Sequence, residues 1–419
     1  MPSGGRGRGV VHRPRRVAAV LFSLVLLLSW CVPAGITTAA ELCPVPHELV
    51  QNGGYALAGT PCSFRAEERF VPASILKLAT ALAVLHRLGP DYRCRTRFAL
   101  DVDDNLLIEG RGDPLLTSEE LALVLDNLRQ RGLRRINDLI LDDHLFVLEE
   151  TTPGAEGSLN PYDAANGALA ANFNTVHLRV TPDRRILSAE PQTPTIPLMR
   201  ELGARLPPGT QRVNLGADHF RQENAIALRH LGEVLRALQQ QAGIAGGGEI
   251  RRGTLTAAIR IDYLHSSSHP LREVVRDCLA YSNNFIANQL LLLLGLERYD
   301  APATWDKGRR ALSESLTALL GEELAGSMQV LDGAGLSRDN RVSPTVMLAV
   351  LEALRPHAEL LPVLDADLVK SGTMNGVFCY AGYLGSERTG FVLMLNQQHN
   401  RRDRLLSLMR QWAANQPRP

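Results

Sequence analysis

The sequence predicts an α+β protein: an antiparallel sheet flanked by helices, built by both ends of the chain, with a second lobe inserted between them. Three observations carry this. Residues 74–88 form an apolar run of helical length near the amino end. Residues 367–371, 377–383 and 390–396 read as three neighbouring antiparallel strands with turns between, followed by an amphipathic helix over 403–414. Between these ends lies a stretch with its own strands, helix and proline-rich loop, so that residues 41–95 and 221–419 are expected to form one discontinuous domain and 96–220 an inserted one.

In chain order, Pro72 and Ser74 stand at a helix start. Ile75, Leu76, Leu78, Ala79, Ala81, Leu82, Ala83, Val84, Leu85 and Leu88 then leave almost no polar face, so this helix is expected inside the protein. Gly89-Pro90 ends it. Residues 95–109 alternate like a strand, and 110–114 form a turn. Residues 118–131 read as an amphipathic helix capped by Ser118, with Leu121, Leu125 and Leu128 on one side. Residues 136–141 and 175–180 read as strands, 151–161 as loop, and 182–208, rich in proline, as loop or linker. Helices are expected over 225–241, 271–280 and 285–294, with a glycine break at 246–248 and a tight turn at Asp332-Gly333-Ala334-Gly335.

The chain has 419 residues, 45% of them hydrophobic, as suits an ordinary globular protein. The first 40 residues hold five arginines and no acids; the remainder carries a net charge of −4, which gives no support to nucleic-acid binding. Arg6, Arg8, Arg13, Arg15 and Arg16, the apolar stretch 17–28, the breakers Pro33 and Gly35 and the small residues Thr38-Ala39-Ala40 read as a secretory signal peptide over 1–40. The apolar run is short for a membrane span. The protein is therefore expected to be exported, to the periplasm or the outer face of the cell membrane, with no transmembrane anchor after cleavage. The mature chain would keep Cys43, Cys62, Cys94, Cys278 and Cys379; Cys43 and Cys62 are the closest pair, and an odd count leaves a free thiol or an intermolecular link.

Of 45 basic residues only Lys77, Lys307 and Lys370 are lysine. Arginine keeps its proton at any accessible pH, whereas a buried lysine can release it and act as a base. Lys77 closes Ser74-Ile75-Leu76-Lys77, which puts a hydroxyl and an amine on one face of an apolar helix. A hydroxyl is a poor nucleophile until a base takes its proton, and apolar walls lower the amine's pKa toward that task. Ser74 at a helix amino end also favours developing negative charge. Ser282-Asn283-Asn284 lies at a helix junction, where the Ser282 hydroxyl can relay a proton and the Asn284 amide can bind a peptide group. Lys370-Ser371-Gly372-Thr373 ends a strand whose edge can pair with an extended peptide. There Gly372 allows close approach, Lys370 with the Ser371 and Thr373 hydroxyls can bind a carboxylate, and the backbone N–H groups of Ser74 and Thr373 can form an oxyanion hole.

Each motif alone is weak; the three in this order match the set shared by penicillin-binding proteins and class A β-lactamases. The chain resembles the D-alanyl-D-alanine carboxypeptidase/endopeptidases, the class C low-molecular-mass penicillin-binding proteins, over most of its mature length. The resemblance is carried by residues 72–78 with 88–92, by Gly112-Asp113-Pro114, by residues 332–340 and by 370–374. The separation of 208 positions from Ser74 to Ser282 exceeds the class A β-lactamase spacing and suits a family with a large insertion. What the resemblance implies is a transpeptidase-like fold, acyl-enzyme formation on Ser74, Lys77 as base, Ser282 and Asn284 as second motif, and Lys370 in substrate binding. It further implies peptidoglycan peptides as substrates, β-lactam antibiotics as covalent inhibitors, and neither cofactor nor metal. Ser371 stands where Thr is commoner and Ala334 where Ser is usual. The insertion is shorter than in typical members, which bears on substrate gating.

Two other functions compete. A β-lactamase needs fast deacylation, often through Glu-x-x-Leu-Asn, and no such segment follows Ser282. A wall-binding scaffold with an idle site would not need every reactive side chain present. Gly-x-Ser-x-Gly, His-Glu-x-x-His and Gly-x-x-x-x-Gly-Lys are all absent. His265 and His269 flank three serines and read as loop; Lys307 reads as a solvated charge; Asp142 and Asp143 read as solvated acids or, alternatively, as part of the cleft.

Overall fold

The protein is described by a computed structural model covering residues 46–148, 151–216 and 226–415. The expected signal segment and Cys43 lie outside the described residues. Cys62 is disulfide-bonded, whereas Cys94, Cys278 and Cys379 are free and buried.

Six strands form the main sheet, in the order Val363–Leu364, Asp367–Met374, Val377–Leu384, Thr389–Leu395, Gly53–Leu57 and Ser63–Phe64, every pair antiparallel. The amino-terminal strand therefore sits beside the last one, with Tyr55 opposite Leu393. Successive side chains of a strand point to opposite faces, and here both faces are covered. Cys379, Ala381 and Tyr383 join one core with Leu78, Leu82, Val346 and Val350 from helices Lys77–Leu88 and Pro344–Leu354. Tyr380 and Leu384 join another with Tyr55, Leu405, Met409 and Trp412, the last three from helix Arg402–Asn415. That two-sided cover is why these strands are apolar at almost every position.

A further apolar core runs from Phe98 to Ile261. It unites a five-stranded sheet, in the order Ile259–Pro270, Arg93–Asp101, Leu106–Glu109, Leu139–Asp142 and Ile250–Arg252, with a three-stranded one of Ile186–Ser188, Thr175–Val180 and Gly209–Asn214. Helices Ser118–Gln130 and Ile226–Gln241 close it.

Several local expectations are corrected. Residues 182–208 are no linker: they hold strand Ile186–Ser188 and helix Pro197–Ala204, whose Leu198, Met199 and Leu202 are buried. Residues 95–109 are two strands joined by a turn in which the Asp101 carboxylate accepts the backbone N–H groups of Asp103 and Asn105. Ser118 is not the cap of its helix but the first helical residue; its N–H is received by the Asn172 side chain (2.9 Å), brought from a distant loop. His265 and His269 lie on a strand, and His265 is buried against Glu120 (2.7 Å). Its polar alternation is that of a strand with one half-exposed face.

Candidate active site

The structure places the sequence motifs on three supports that meet at one cleft. Ser74 lies in a 3-10 turn, Ala73–Leu76, that leads straight into helix Lys77–Leu88. Ala73 holds a left-handed backbone (φ 48°), as does Ser282 (φ 52°) at the junction of helices Leu271–Ala280 and Asn284–Tyr299. Non-glycine residues keep such strain only where their surroundings fix it, commonly at functional sites. The surroundings are visible at Ala73: Gly335, itself at φ +76°, lies so close that a Cβ there would stand 1.9 Å from the Ala73 carbonyl oxygen. On the other side the sheet abuts the turn, for a Cβ on Gly372 would lie 2.8 Å from the Pro72 oxygen and 3.0 Å from the Ser74 nitrogen.

Lys77 is 1% exposed, and its Nζ is 2.9 Å from Ser74 Oγ, 2.7 Å from Asn284 Oδ1 and 2.8 Å from the Ala334 carbonyl oxygen. Burial pushes its pKa down to about 7, with nearby Lys370 acting in the same direction and Cys278 and Asp332 opposing. Lys370, equally buried, donates to Ser282 Oγ (2.9 Å) and to the Ser371 carbonyl (3.0 Å), and burial lowers it to about 8. A buried turn supports the first lysine. The Asp332 carboxylate accepts the backbone N–H groups of Ala334, Leu336 and Ser337 and the Asn340 side-chain amide. That closure aims the Ala334 carbonyl at Lys77, so the Asp332-Gly333-Ala334-Gly335 turn, read from sequence as structural only, supplies an acceptor to the amine.

The cleft, about 660 Å³, is lined by Ser74, Ser282, Asn284 and Thr373. Lys77 and Lys370 lie beneath its floor, Gly372 backs the Ser74 turn, and half-buried Ser371 is not part of the lining. Further lining comes from Arg338 and Asp339, just after the buried turn, and from Glu156, Tyr162 and Asp163 in the loop segment before strand Thr175–Val180. The Asn284 amide faces both sides, its oxygen toward Lys77 and its nitrogen donating to the Tyr162 carbonyl (3.1 Å). Glu156, Tyr162 and Asp163 went unseen because a glycine- and proline-containing loop gives no periodic signal. Asp142 and Asp143 take no part: Asp142 is buried beside His144 and Asp143 pairs with Arg252 (2.7 Å). Lys307 donates to the carbonyls of Asp300 and Pro302 at its own helix start rather than standing free in solvent. Among the described residues no group of three or more His, Cys, Asp or Glu side chains could hold a metal ion.

Chemically, this is a hydroxyl with an amine at its side and a second hydroxyl held by a second amine, both hydroxyl residues lining one cleft. A D-alanyl-D-alanine carboxypeptidase of Actinomadura sp. (strain R39) is 27% identical over 410 residues, covering 80% of this chain and 74% of that protein. The crystal structure of penicillin-binding protein 4 from Haemophilus influenzae superposes with a TM-score of 0.69 at 18% identity, over 88% of this chain and 97% of that one. A structure of that protein with a β-lactam gives 0.64 at 18% identity over the same shares. The fold is thus that of penicillin-binding proteins. The family model of the D-Ala-D-Ala carboxypeptidase 3 (S13) peptidases matches residues 61–202 and 218–366, and the chain belongs to that family.

Proposed function

We propose that this serine-type D-Ala-D-Ala carboxypeptidase acts on peptidoglycan stem peptides through Ser74, activated by Lys77, and that it also cuts D-amino-acid cross-links. The observation that carries this is the set of partners around Lys77. An ammonium can donate to all three neighbours, but a neutral amine has two hydrogens and one lone pair. Asn284 Oδ1 and the Ala334 carbonyl can only accept, so they take both hydrogens. The lone pair is then left for the Ser74 hydroxyl, which donates to it.

In the proposed reaction Ser74 Oγ attacks the carbonyl carbon of the penultimate D-Ala as its proton passes to Lys77. The oxyanion is received by the Ser74 and Thr373 N–H groups. Ser282, held by Lys370, passes its proton to the departing amine of the terminal D-Ala and is reprotonated at the expense of Lys77, and the C–N bond breaks. Water then attacks the acyl-enzyme carbonyl, losing a proton to the again-neutral Lys77, which returns it to Ser74 Oγ as the ester C–O bond breaks. Asn284 and Thr373 face the peptide along the strand edge, Lys370 and Ser371 support that edge from behind, and Gly372 lets the strand approach the nucleophile. β-Lactams, whose ring carbonyl occupies the scissile position, would acylate Ser74 and inhibit.

The chain is proposed to be exported and its signal removed, placing the enzyme in the envelope where such relatives work; among the described residues no helix is long and apolar enough to cross a membrane. A discontinuous catalytic domain with an inserted lobe is likewise proposed, the lobe extending past residue 220 toward 261 as its shared apolar core suggests. The test is incubation of purified protein with wall fragments and mass analysis of the products: D-Ala release reports end-trimming, halved cross-linked species report cross-link scission. Fluorescent penicillin should label the wild type and not Ser74→Ala. Neither product and no label would sink the reading.

A further inference from the structure

Among the polar groups around the cleft, Arg402 is unaccounted for by the proposed catalytic set. It is the first residue of helix Arg402–Asn415, and its Nη1 reaches across to the sheet, donating to the Gly372 carbonyl (3.2 Å) and to Thr373 Oγ1 (2.6 Å). The guanidinium lies over the Tyr380 ring, 4.5 Å from its centroid, and Tyr380 in turn donates to Asp403 (2.8 Å), so the arginine is braced from strand and helix alike. It is half-buried, while Thr373 is exposed and lines the cleft.

A guanidinium has five donors and no acceptor. The Thr373 hydroxyl therefore has to accept from Arg402, which spends one of its lone pairs and turns its own O–H away from the arginine, toward the cleft. A hydroxyl fixed in that sense is a donor waiting for an acceptor. The Lys370 ammonium cannot fill the same role, since it is buried and committed to Ser282 and the Ser371 carbonyl. Arg402 is thus the cation nearest the exposed hydroxyl at the end of the strand that the peptide would follow.

We propose that Arg402 is a positioning residue that presets Thr373 as a hydroxyl donor and adds positive charge beside it, so that the enzyme selects acyl donors whose leaving group carries a carboxylate. This rests on the preceding assignment of the cleft and names the group that would read the free end of the peptide.

The test uses a matched pair of D-alanyl thioesters: one leaves as thioglycolate, with a carboxylate, the other as its uncharged methyl ester. Released thiol is followed for both. Arg402→Met should lower the ratio of kcat/KM values, carboxylate over methyl ester, by about ten- to a hundredfold, the range of one charge-assisted hydrogen bond. The loss should sit mainly in KM of the charged substrate, and Arg402→Lys should restore part of it. Thr373→Val should lower the same ratio, and adding Arg402→Met to it should lower it little further, because the two act through one hydroxyl. Equal losses on both substrates, or independent additive losses from the two substitutions, would overturn the proposal while leaving the cleft assignment intact. Should Arg402→Met not fold, Arg402→Lys and Thr373→Val supply the same comparison. A wild type that turns over neither thioester would instead refute the cleft assignment, and this proposal with it.

Discussion

Lys77 beneath the cleft floor and His230 on helix Ile226–Gln241, packed in the core that runs from Phe98 to Ile261, are both fully buried bases. Burial depresses both, Lys77 to about 7 and His230 to about 4. The resemblance stops there. Lys77 has three oxygen neighbours, two of which can only accept. Neither ring nitrogen of His230 has a hydrogen-bond partner among the described residues. Removal from water makes an amine neutral; it does not give the lone pair a direction. The catalytic wall differs from an ordinary core because every acceptor around its base is held by a second set of contacts, down to the Asp332 carboxylate that closes the Ala334 turn.

The sharpest way to break this contrast is Lys77→Arg, which keeps a cation at the site and removes the ability to give up a proton. Acylation by fluorescent penicillin should slow by about 10²–10⁴-fold, the range of a general base; a loss of under about tenfold would mean the amine is not the base. Next in size is Gly372→Ala. With Cβ only 2.8 Å from the Pro72 oxygen and 3.0 Å from the Ser74 nitrogen, the strand or the turn has to move. About 100-fold loss in kcat/KM is expected from a displacement of that order, together with a lowered melting temperature because both clashing atoms are backbone.

The pH profile sharpens the same comparison. Lys77 has to be neutral, so acylation should fall about tenfold per pH unit below about 7. Lys370 has to keep its proton to hold Ser282, so the rate should fall again above about 8. The outcome is a narrow bell, and a rate constant that stays flat on either side would remove Lys77 or Lys370 from its role. The smallest effect belongs to His230→Leu, which should stabilise the fold by about 1–2 kcal/mol by removing two unpaired buried polar atoms. The sign with pH follows from linkage. The folded state holds His230 below its unfolded value, so the wild type loses stability as pH falls from about 6.5 toward about 4, and the variant should not lose that share. Thermal melts at neutral and mildly acidic pH would show it; a variant less stable than wild type at both would mean that the imidazole is in fact satisfied.

The contrast also explains what was legible in advance. An apolar helix carrying Ser74 and Lys77, and strand-length apolar segments near the carboxyl end, follow from periodicity, so the pairing of a hydroxyl with a buried amine and the sheet were readable. Strand Gly53–Leu57 was not: its glycines give no propensity signal, and its place is set by pairing with a segment more than 300 residues away. Strand Ile259–Pro270 was missed because its serines and histidines are polar at successive positions, and His265 is buried only because Glu120 receives it. Pairings at such range leave no local trace. The same holds at the site: Thr373 was legible as part of a motif, while Arg402, supplied by the closing helix, had nothing in its neighbourhood to mark it.

The two-faced amide of Asn284 links events that look separate. Its nitrogen is tied to the backbone of Tyr162 in the loop that lines the cleft, and its oxygen is one of the two acceptors beside the amine of Lys77. A displacement of the Tyr162 loop that turned this side chain would take an acceptor from the buried amine. One carboxamide thus joins the outer lining of the cleft to the group beneath its floor.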